Sequence, residues 1–384
     1  MKEVKIVIGA NWGDEGKGLM TEYFASKKNS LVVCHNGGCQ KGHTIITPDG
    51  IRHVFHHFGA GSFVGADTYL AKTYILNPMI FREEYNDLKS KNANTKCYIN
   101  SESIFTTPYD ILMNQLIESI RNKNRHGSCG MGIFETVHRN DYDKLPLKDF
   151  IKLTNNEKII VLKEIRDYFL KVRIKELNIQ EIPDEIKNIL FNENVIYNYL
   201  DDLNFMLSNV EIVDDSIFNK YDRIVFEGAQ GLALDQNNMK YWPNLTPSNT
   251  GSKNPIEMIT AFDLSNIDVE VCYVTRSYYT RHGAGGFEFI CKKEDLNPDI
   301  VDLTNVPNPY QETIKYGFLD VDDLLERINN DFNLIKINTK KSIAITHLNY
   351  SNGKFLTKNG EKEIKLNDFD KIYKSNTQLS KDIM

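Results

Sequence analysis

Short apolar runs that end in glycine-rich or polar turns recur along the chain. Residues 4–8 are apolar at every position but Lys5 and precede residues 9–18, where four of the ten residues are glycine. A second run at 31–34 precedes another glycine-rich stretch at 36–44. Short apolar runs bounded by such turns predict buried strands. Ligands of open α/β sheets bind where such strands end.

The same pattern returns after a segment of different character. Residues 145–217 are rich in Lys, Glu, Ile, Asn and Leu, with helical spacing and few glycines. Further apolar runs ahead of polar turns lie at residues 223–226, 269–273 and 342–345. We therefore predict a single α/β domain over residues 1–384. It has a large, mostly parallel central sheet flanked by helices, a P-loop-like nucleotide site and a helical insertion at about 145–217.

Composition excludes several classes of protein. The 384 residues are 41% hydrophobic and 26% charged, with a formal net charge of -6, so we expect a globular chain without a general affinity for nucleic acid. No run of about 18 apolar residues is present, and we expect no membrane partner. Six cysteines without a CxxC pair predict reduced thiols. These features favour a cytoplasmic protein.

The first glycine-rich turn has the context of a phosphate-binding loop. It lies between a predicted strand and a predicted helix and reads Gly9-Ala10-Asn11-Trp12-Gly13-Asp14-Glu15-Gly16-Lys17-Gly18. Glycines let backbone N–H groups approach phosphate oxygens, and Lys17 adds a positive charge at the helix start. The loop departs from a Walker motif, because Gly18 stands where that motif has a Ser or Thr that holds magnesium. Asp14 offers magnesium a carboxylate oxygen in its place.

The second glycine-rich turn presents a histidine at a strand end. His43 stands between Gly42 and Thr44. An imidazole at this place can reach a phosphate and act as a general acid. A surface or hydrogen-bonded core histidine explains the same pattern, so His43 alone does not decide the chemistry.

Two later turns carry groups suited to a nucleotide. Ser128 and Cys129 lie in a glycine-rich stretch at 127–132. Gln230 offers both a donor and an acceptor to the edge of a base. Each of these turns taken alone is also compatible with an ordinary loop.

Five motifs occur along the chain in this order: Trp12-Gly13-Asp14-Glu15-Gly16-Lys17-Gly18, Gly42-His43-Thr44, Phe226-Glu227-Gly228-Ala229-Gln230-Gly231, Thr246-Pro247-Ser248-Asn249-Thr250 and Thr280-Arg281-His282-Gly283-Ala284-Gly285. Together, the motifs resemble those of the adenylosuccinate synthetase family, over roughly residues 4–355. The resemblance implies a ligase that joins L-aspartate to carbon 6 of IMP, using GTP and magnesium. In this family the 6-oxygen is first phosphorylated, and the amine of aspartate then displaces phosphate.

The resemblance also implies roles for individual residues. Asp14 is expected to take the proton from the base nitrogen and to bind Mg2+ together with the Gly42 carbonyl, while His43 acts as an acid at the phosphoryl oxygen. Binding of the nucleoside triphosphate is expected from Gly13, Glu15, Gly16, Lys17, Gly18, Gly42, Thr44, His347 and Asn349. Binding of the purine monophosphate is expected from Ser128, Cys129, Arg139, Gln230, Thr246 and Arg281. Family members are homodimers, and Arg139 is the candidate to reach the nucleotide of the second subunit, with the nearby Arg125 as the alternative.

Two segments depart from the family pattern. The family reads guanine with Thr-Lys-Leu-Asp, where this chain has Thr346-His347-Leu348-Asn349. An Asp accepts two hydrogen bonds from guanine, whereas an Asn adds a donor, so we expect ATP or dATP as the phosphoryl donor. The family's arginine-rich aspartate loop matches a stretch with one cation, Lys315. The residues expected to bind aspartate are Thr304, Asn305 and Lys315.

The acceptor nucleotide and the activity itself each have an alternative. The short chain resembles the phage-type branch, which converts dGMP to the 2-aminoadenine precursor. Those enzymes commonly carry Ser at the position of Asp14, so the retained Asp14 favours IMP over dGMP. The altered segments also leave open a nucleotide-binding paralogue without ligase activity. The presence of Asp14, Lys17 and His43 favours the enzyme.

Overall fold

The computed structural model describes residues 2–27, 29–122, 125–262, 267–302 and 313–384. The strands are β1 (Lys2–Gly9), β2 (Ser30–Cys34), β3 (His43–Ile46), β4 (Arg52–Phe55), β5 (Asp67–Leu70), β6 (Cys97–Asn100), β7 (Glu211–Val213), β8 (Arg223–Gly231), β9 (Ile267–Arg276), β10 (Tyr279–Arg281), β11 (Ile290–Cys291), β12 (Lys315–Gly317), β13 (Lys340–Thr346), β14 (Phe355–Thr357), β15 (Gly360–Lys362) and β16 (Lys371–Lys374).

The helices lie between and around these strands. They are α1 (Lys17–Ala25), α2 (Pro78–Ser90), α3 (Pro108–Arg121), α4 (Ile133–Tyr142), α5 (Leu147–Phe150), α6 (Asn155–Tyr168), α7 (Ile174–Glu176), α8 (Asp184–Leu190), α9 (Asn194–Ser208), α10 (Lys253–Ala261), α11 (Lys293–Leu296) and α12 (Val321–Phe332). A π-helical segment, Phe169–Arg173, joins α6 to α7. No helix in the described ranges is long and apolar enough to cross a membrane.

One nine-stranded sheet forms the centre of the molecule, in the order β16-β13-β9-β1-β8-β2-β5-β6-β7. Every neighbouring pair in it is parallel. Val4, Ile6 and Val7 of β1 are fully buried, because a central parallel strand is covered on both faces. The predicted α/β class with a large, mostly parallel sheet is confirmed.

The strand order brings the glycine-rich turns together. β1 lies between β8 and β9, and β8 also pairs with β2. Since all these strands run the same way, the turns that follow them meet at one edge of the sheet. The small antiparallel sheet β10-β12-β11 and the hairpin of β3 and β4 add to this edge.

The predicted helical segment at 145–217 contains α5 to α9. Leu162, Ile165 and Phe169 of this segment are buried in a cluster that also contains residues of α2 and α3. The apolar spacing of the segment thus marks a packing face. That residues 1–384 form a single domain stays a prediction.

Candidate active site

The turn after β1 takes its shape from Glu15. The buried carboxylate accepts hydrogen bonds from the backbone N–H groups of Asn11 (3.1 Å) and Gly13 (2.7 Å), and it lies 2.8 Å from Lys17 Nζ. The backbone is left-handed at Gly13 and Gly16, with φ of 100° and 97°, a conformation that glycine adopts without steric cost. The Glu15 side chain therefore stabilises the loop and does not itself line the cavity described below.

Asp14 presents its carboxylate at the edge of this turn. Its backbone φ is 62°, and its carbonyl oxygen accepts a 2.6 Å hydrogen bond from Arg276 Nε. The carboxylate itself makes no hydrogen bond to another residue in the described ranges. Burial raises the pKa of Asp14, and the charges of Arg276 and Lys17 only partly oppose that effect. A carboxylate with a raised pKa and no internal partner is suited to accepting a proton.

His43 belongs to a buried charge cluster that it forms with Glu227 and Lys41. His43 Nδ1 lies 2.8 Å from Glu227 Oε1, and Lys41 Nζ lies 2.7 Å from Glu227 Oε2. Lys41 also donates to the carbonyl of Phe58 and to Cys34 Sγ, both at 3.1 Å. Burial alone would raise the pKa of Glu227, but Lys41 and His43 outweigh it and lower that pKa. The ionised carboxylate accepts a hydrogen bond from Nδ1–H of His43 and leaves Nε2 for a substrate.

The same cluster sets the charge of His43. Burial lowers the pKa of His43, Glu227 opposes this effect, and Lys41 reinforces it. Burial thus favours the neutral ring, whereas Glu227 favours the protonated ring that can act as an acid. The sequence analysis predicts no role for Glu227 or Lys41. The signal that could have identified Glu227 is an acidic residue within the apolar strand β8.

These turns surround one cavity of about 520 Å³, a size typical of small-molecule sites. The predicted site residues that line it are Gly13, Asp14, Lys17, Gly42, His43, Ser128, Cys129, Gln230, Thr246 and Arg281. Buried polar atoms without a hydrogen-bond partner among the described residues also line it, namely Trp12 Nε1, Gln40 Oε1 and Nε2, Arg281 Nε and His282 Nε2. Orphaned polar atoms in a cavity indicate groups that a ligand satisfies.

Comparison with known proteins places the chain in a family. The family profile of adenylosuccinate synthetase matches residues 6–308. The chain belongs to the adenylosuccinate synthetase family. The adenylosuccinate synthetase of Borrelia duttonii (strain Ly) is 27% identical over 349 residues, which cover 90% of this chain and 74% of that protein. The adenylosuccinate synthetase of Thermoplasma volcanium is also 27% identical, over 89% of this chain and 76% of that protein.

Solved structures share the fold at lower identity. The fully ligated adenylosuccinate synthetase of Plasmodium falciparum superposes with a TM-score of 0.66 at 19% identity, covering 99% of this chain and 86% of that one. The succinoaminodeoxyadenylate synthetase of cyanophage S-2L, bound to dGMP and dATP as an energy donor, gives 0.60 at 12% identity, covering 100% and 95%. These two likenesses show the fold, whereas the family profile and the relatives indicate a C–N bond-forming ligase of the adenylosuccinate synthetase type.

The segment that the family uses to read the donor base lies beside the phosphate loop. Thr346 Oγ1 donates a 2.7 Å hydrogen bond to the carbonyl of Glu15. His347 is left-handed, with φ of 58°, and burial holds the pKa of its ring well below 6.5. The Asn349 side chain is exposed. The predicted triphosphate-binding residues that do not line the cavity are Glu15, Gly16, Gly18, Thr44, His347 and Asn349.

Arg139 does not reach the cavity. Its Nε and one terminal nitrogen donate to the two oxygens of Asp110, at 2.9 and 3.1 Å, and the same nitrogen donates to the Phe105 carbonyl at 3.0 Å. The residue is 3% exposed. This buried fork-to-carboxylate pair joins α4 to α3 within one chain. The geometry gives Arg139 a structural role within one chain, and its reach into a second subunit stays a prediction.

Lys315 holds a turn of the polypeptide. Its ammonium group donates to the carbonyls of Gly283 (2.7 Å) and Gly285 (3.0 Å). It is the cross-strand partner of Arg281 in the small antiparallel sheet. Lys315 therefore fixes the backbone beside the cavity and does not line it. The other predicted aspartate-binding residues, Thr304 and Asn305, lie outside the described residues.

The residues at the cavity fit a magnesium ion that takes its other ligands from water and substrate phosphates. No group of three or more His, Cys, Asp or Glu side chains in the described ranges is arranged to hold a metal. Asp14 and the Gly42 backbone nevertheless offer hard oxygen atoms at the same cavity. Mg2+ is commonly held by one or two protein oxygens together with water and substrate phosphates. Asp14 and Gly42 fit that coordination.

Proposed function

We propose that the chain joins L-aspartate to carbon 6 of a 6-oxopurine nucleotide, with IMP preferred, at the expense of a nucleoside triphosphate. The observation that carries the proposal is the meeting of two groups at one cavity. Asp14 has a carboxylate with a raised pKa and no hydrogen-bond partner among the described residues, and His43 is oriented by Glu227. These are the proton acceptor and the proton donor that the two steps require.

In the first step, Asp14 accepts the N1 proton of the purine, and the 6-oxygen attacks the terminal phosphorus of the triphosphate while the bond from that phosphorus to the leaving nucleoside diphosphate breaks. Glu227 keeps the Nδ1 proton of His43 in place, so that His43 presents Nε2 to the transferring phosphoryl group. In the second step, the amine of aspartate attacks carbon 6, and the C–O bond to phosphate breaks. The proton on His43 neutralises charge on the departing phosphate.

The remaining assignments are extensions of this proposal. Gly13, Lys17 and the loop amides hold the triphosphate, while Ser128, Cys129, Gln230, Thr246 and Arg281 hold the purine monophosphate. Asp14 and the Gly42 carbonyl would hold Mg2+, and the ion would supply a positive charge beside the phosphates. We also propose a homodimer and a cytoplasmic location, by analogy with the family.

We propose ATP or dATP as the phosphoryl donor. Asn349 stands where the family carries the Asp that accepts from guanine, and the structurally similar cyanophage enzyme is bound to dATP. A site that leaves a polar edge of the ligand unpaired can discriminate by large factors. Steady-state rates with GTP, ATP and dATP at matched concentrations test this assignment. A strong preference for GTP would exclude it.

The second candidate acceptor is dGMP. Its support is that the chain covers 95% of the cyanophage enzyme, which is bound to dGMP. Purified protein is incubated with IMP or with dGMP, together with aspartate and a triphosphate, and the succinyl product is identified by mass spectrometry. Succinylated IMP supports the proposal, whereas product from dGMP alone replaces it with the phage-type reaction. Absence of phosphate release that requires both aspartate and a purine nucleotide would favour a non-catalytic paralogue.

A further inference from the structure

Most cationic side chains around the cavity are already neutralised by carboxylates of the same chain. The pairs are Lys17 with Glu15, Lys41 with Glu227, Arg121 with Glu118 and Arg173 with Glu135. Their charges are thus partly cancelled before a substrate arrives. An incoming dicarboxylate needs donors that are not engaged in this way.

Two consecutive residues at the end of β10 provide such donors. Arg281 donates to the carbonyls of Gly286 (2.8 Å) and Asn244 (3.1 Å), which leaves its buried Nε without a partner among the described residues. The Nε2 atom of His282 is also buried and has no partner in the described ranges. A buried donor left without an acceptor is costly, so both nitrogens are prepared for ligand atoms.

Lys315 fixes the turn that begins directly after His282. Lys315 Nζ donates to the carbonyls of Gly283 and Gly285, so the turn that follows His282 is held at two points. Lys315, which the sequence analysis predicts to bind aspartate, therefore orders the backbone next to His282. A held turn lets an imidazole bind a ligand with little further loss of entropy.

His282 and Asp14 line the same cavity. Under the proposed function Asp14 acts at N1 of the purine, and carbon 6 is the neighbouring ring atom. The amine donor must therefore enter the cavity that His282 lines.

We propose that His282 binds a carboxylate of the amine donor through Nε2, in place of the arginines that this chain lacks between residues 304 and 320. The ligand is an amino acid with a second carboxylate, of which L-aspartate is the simplest case. This inference rests on the proposed function. Arg281, in contrast, serves the purine nucleotide.

The test compares His282→Ala and His282→Gln in the full-length protein, at saturating purine nucleotide and triphosphate. Loss of one hydrogen bond to a charged group corresponds to about a 10- to 100-fold rise in KM for L-aspartate. We expect that rise in His282→Ala, with an unchanged KM for the purine nucleotide. His282→Gln keeps an N–H donor and should recover part of the affinity. His138→Gln is the matched control, since His138 bonds to Tyr168 away from the cavity.

A nucleophile without a carboxylate distinguishes binding from chemistry. Hydroxylamine in place of aspartate should turn over equally well in wild type and His282→Ala. If the KM for aspartate stays within twofold of wild type, or if both nucleophiles slow equally, the role of His282 is refuted while the ligase assignment stands. If wild type releases no phosphate that depends on aspartate, the proposed function and this inference fail together. Circular dichroism confirms that each variant is folded.

Discussion

Lys41 allows the proton chemistry of His43 to be changed without touching the histidine. Its ammonium group and the His43 ring contact opposite oxygens of Glu227, at 2.7 and 2.8 Å. Lys41→Met removes a positive charge from this buried cluster and keeps a side chain of similar length. Glu227 then has His43 as its remaining cationic partner, so the protonated form of His43 gains stability.

The size of the effect follows from this geometry. Two like charges on opposite sides of one carboxylate are about 6 Å apart and repel by about 3 kcal/mol at an effective dielectric constant of about 20. Lys41 lowers the pKa of His43, so its removal raises that pKa. Since the proposed reaction uses the protonated ring as an acid, the basic limb of the kcat/KM profile should move to higher pH. Loss of one partner of a buried ion pair should also lower the free energy of unfolding by about 3–5 kcal/mol.

The assay is the pH dependence of kcat/KM for the purine nucleotide, with urea unfolding of the same protein. Lys5→Met is the matched control, because Lys5 forms a comparable buried pair with Glu270 at 2.8 Å, away from the catalytic cavity. It should lose stability and keep the wild-type pH profile. An unchanged basic limb in Lys41→Met would refute the claim that Lys41 sets the proton affinity of His43.

Three further predictions concern stability and donor choice. Arg139→Ala should lower the free energy of unfolding by about 3–5 kcal/mol in urea, because Asp110 loses its buried partner, while a changed KM for the purine nucleotide in the folded variant would restore a substrate role. Burial lowers the pKa of His35 from 6.5 to about 3. Below pH 6.5 the unfolded state therefore binds a proton that the folded state does not bind, and the free energy of unfolding falls as the pH decreases. His35→Phe should flatten this decline in thermal melts between pH 7 and 4, and an unaltered slope would contradict the assignment. Asn349→Asp should shift the ratio of kcat/KM for GTP over ATP by about tenfold or more toward GTP, and an unchanged ratio would remove Asn349 from base recognition.

Local sequence was sufficient for the elements that carry the nucleotide-binding turns. The apolar run at the start of the chain predicts β1 because a central parallel strand needs apolar residues on both faces, as Val4 and Val7 illustrate. The glycines at 13 and 16 predict a loop that only residues tolerant of positive φ form readily. The order of the motifs alone identifies the family, and the family profile confirms it.

The role of an individual charge, in contrast, depended on partners far away in the chain. Glu227 is 184 residues from His43, and no local pattern joins them. Arg139 is predicted from its motif to bind the purine nucleotide, whereas in the structure it is the buried partner of Asp110. Lys315 is a candidate for aspartate by sequence, yet it donates to the carbonyls of Gly283 and Gly285.

The sequence by itself determined the family, the strand-and-turn framework and the identity of Asp14 and His43 as candidate catalytic groups. Only the tertiary structure decided which charges are already neutralised and which donors, such as those of Arg281 and His282, are left for substrates. The physical reason is the separation along the chain of the groups that interact. Strand and turn preferences act between neighbours in the chain, whereas burial and charge pairing depend on every group that the fold brings within a few ångströms.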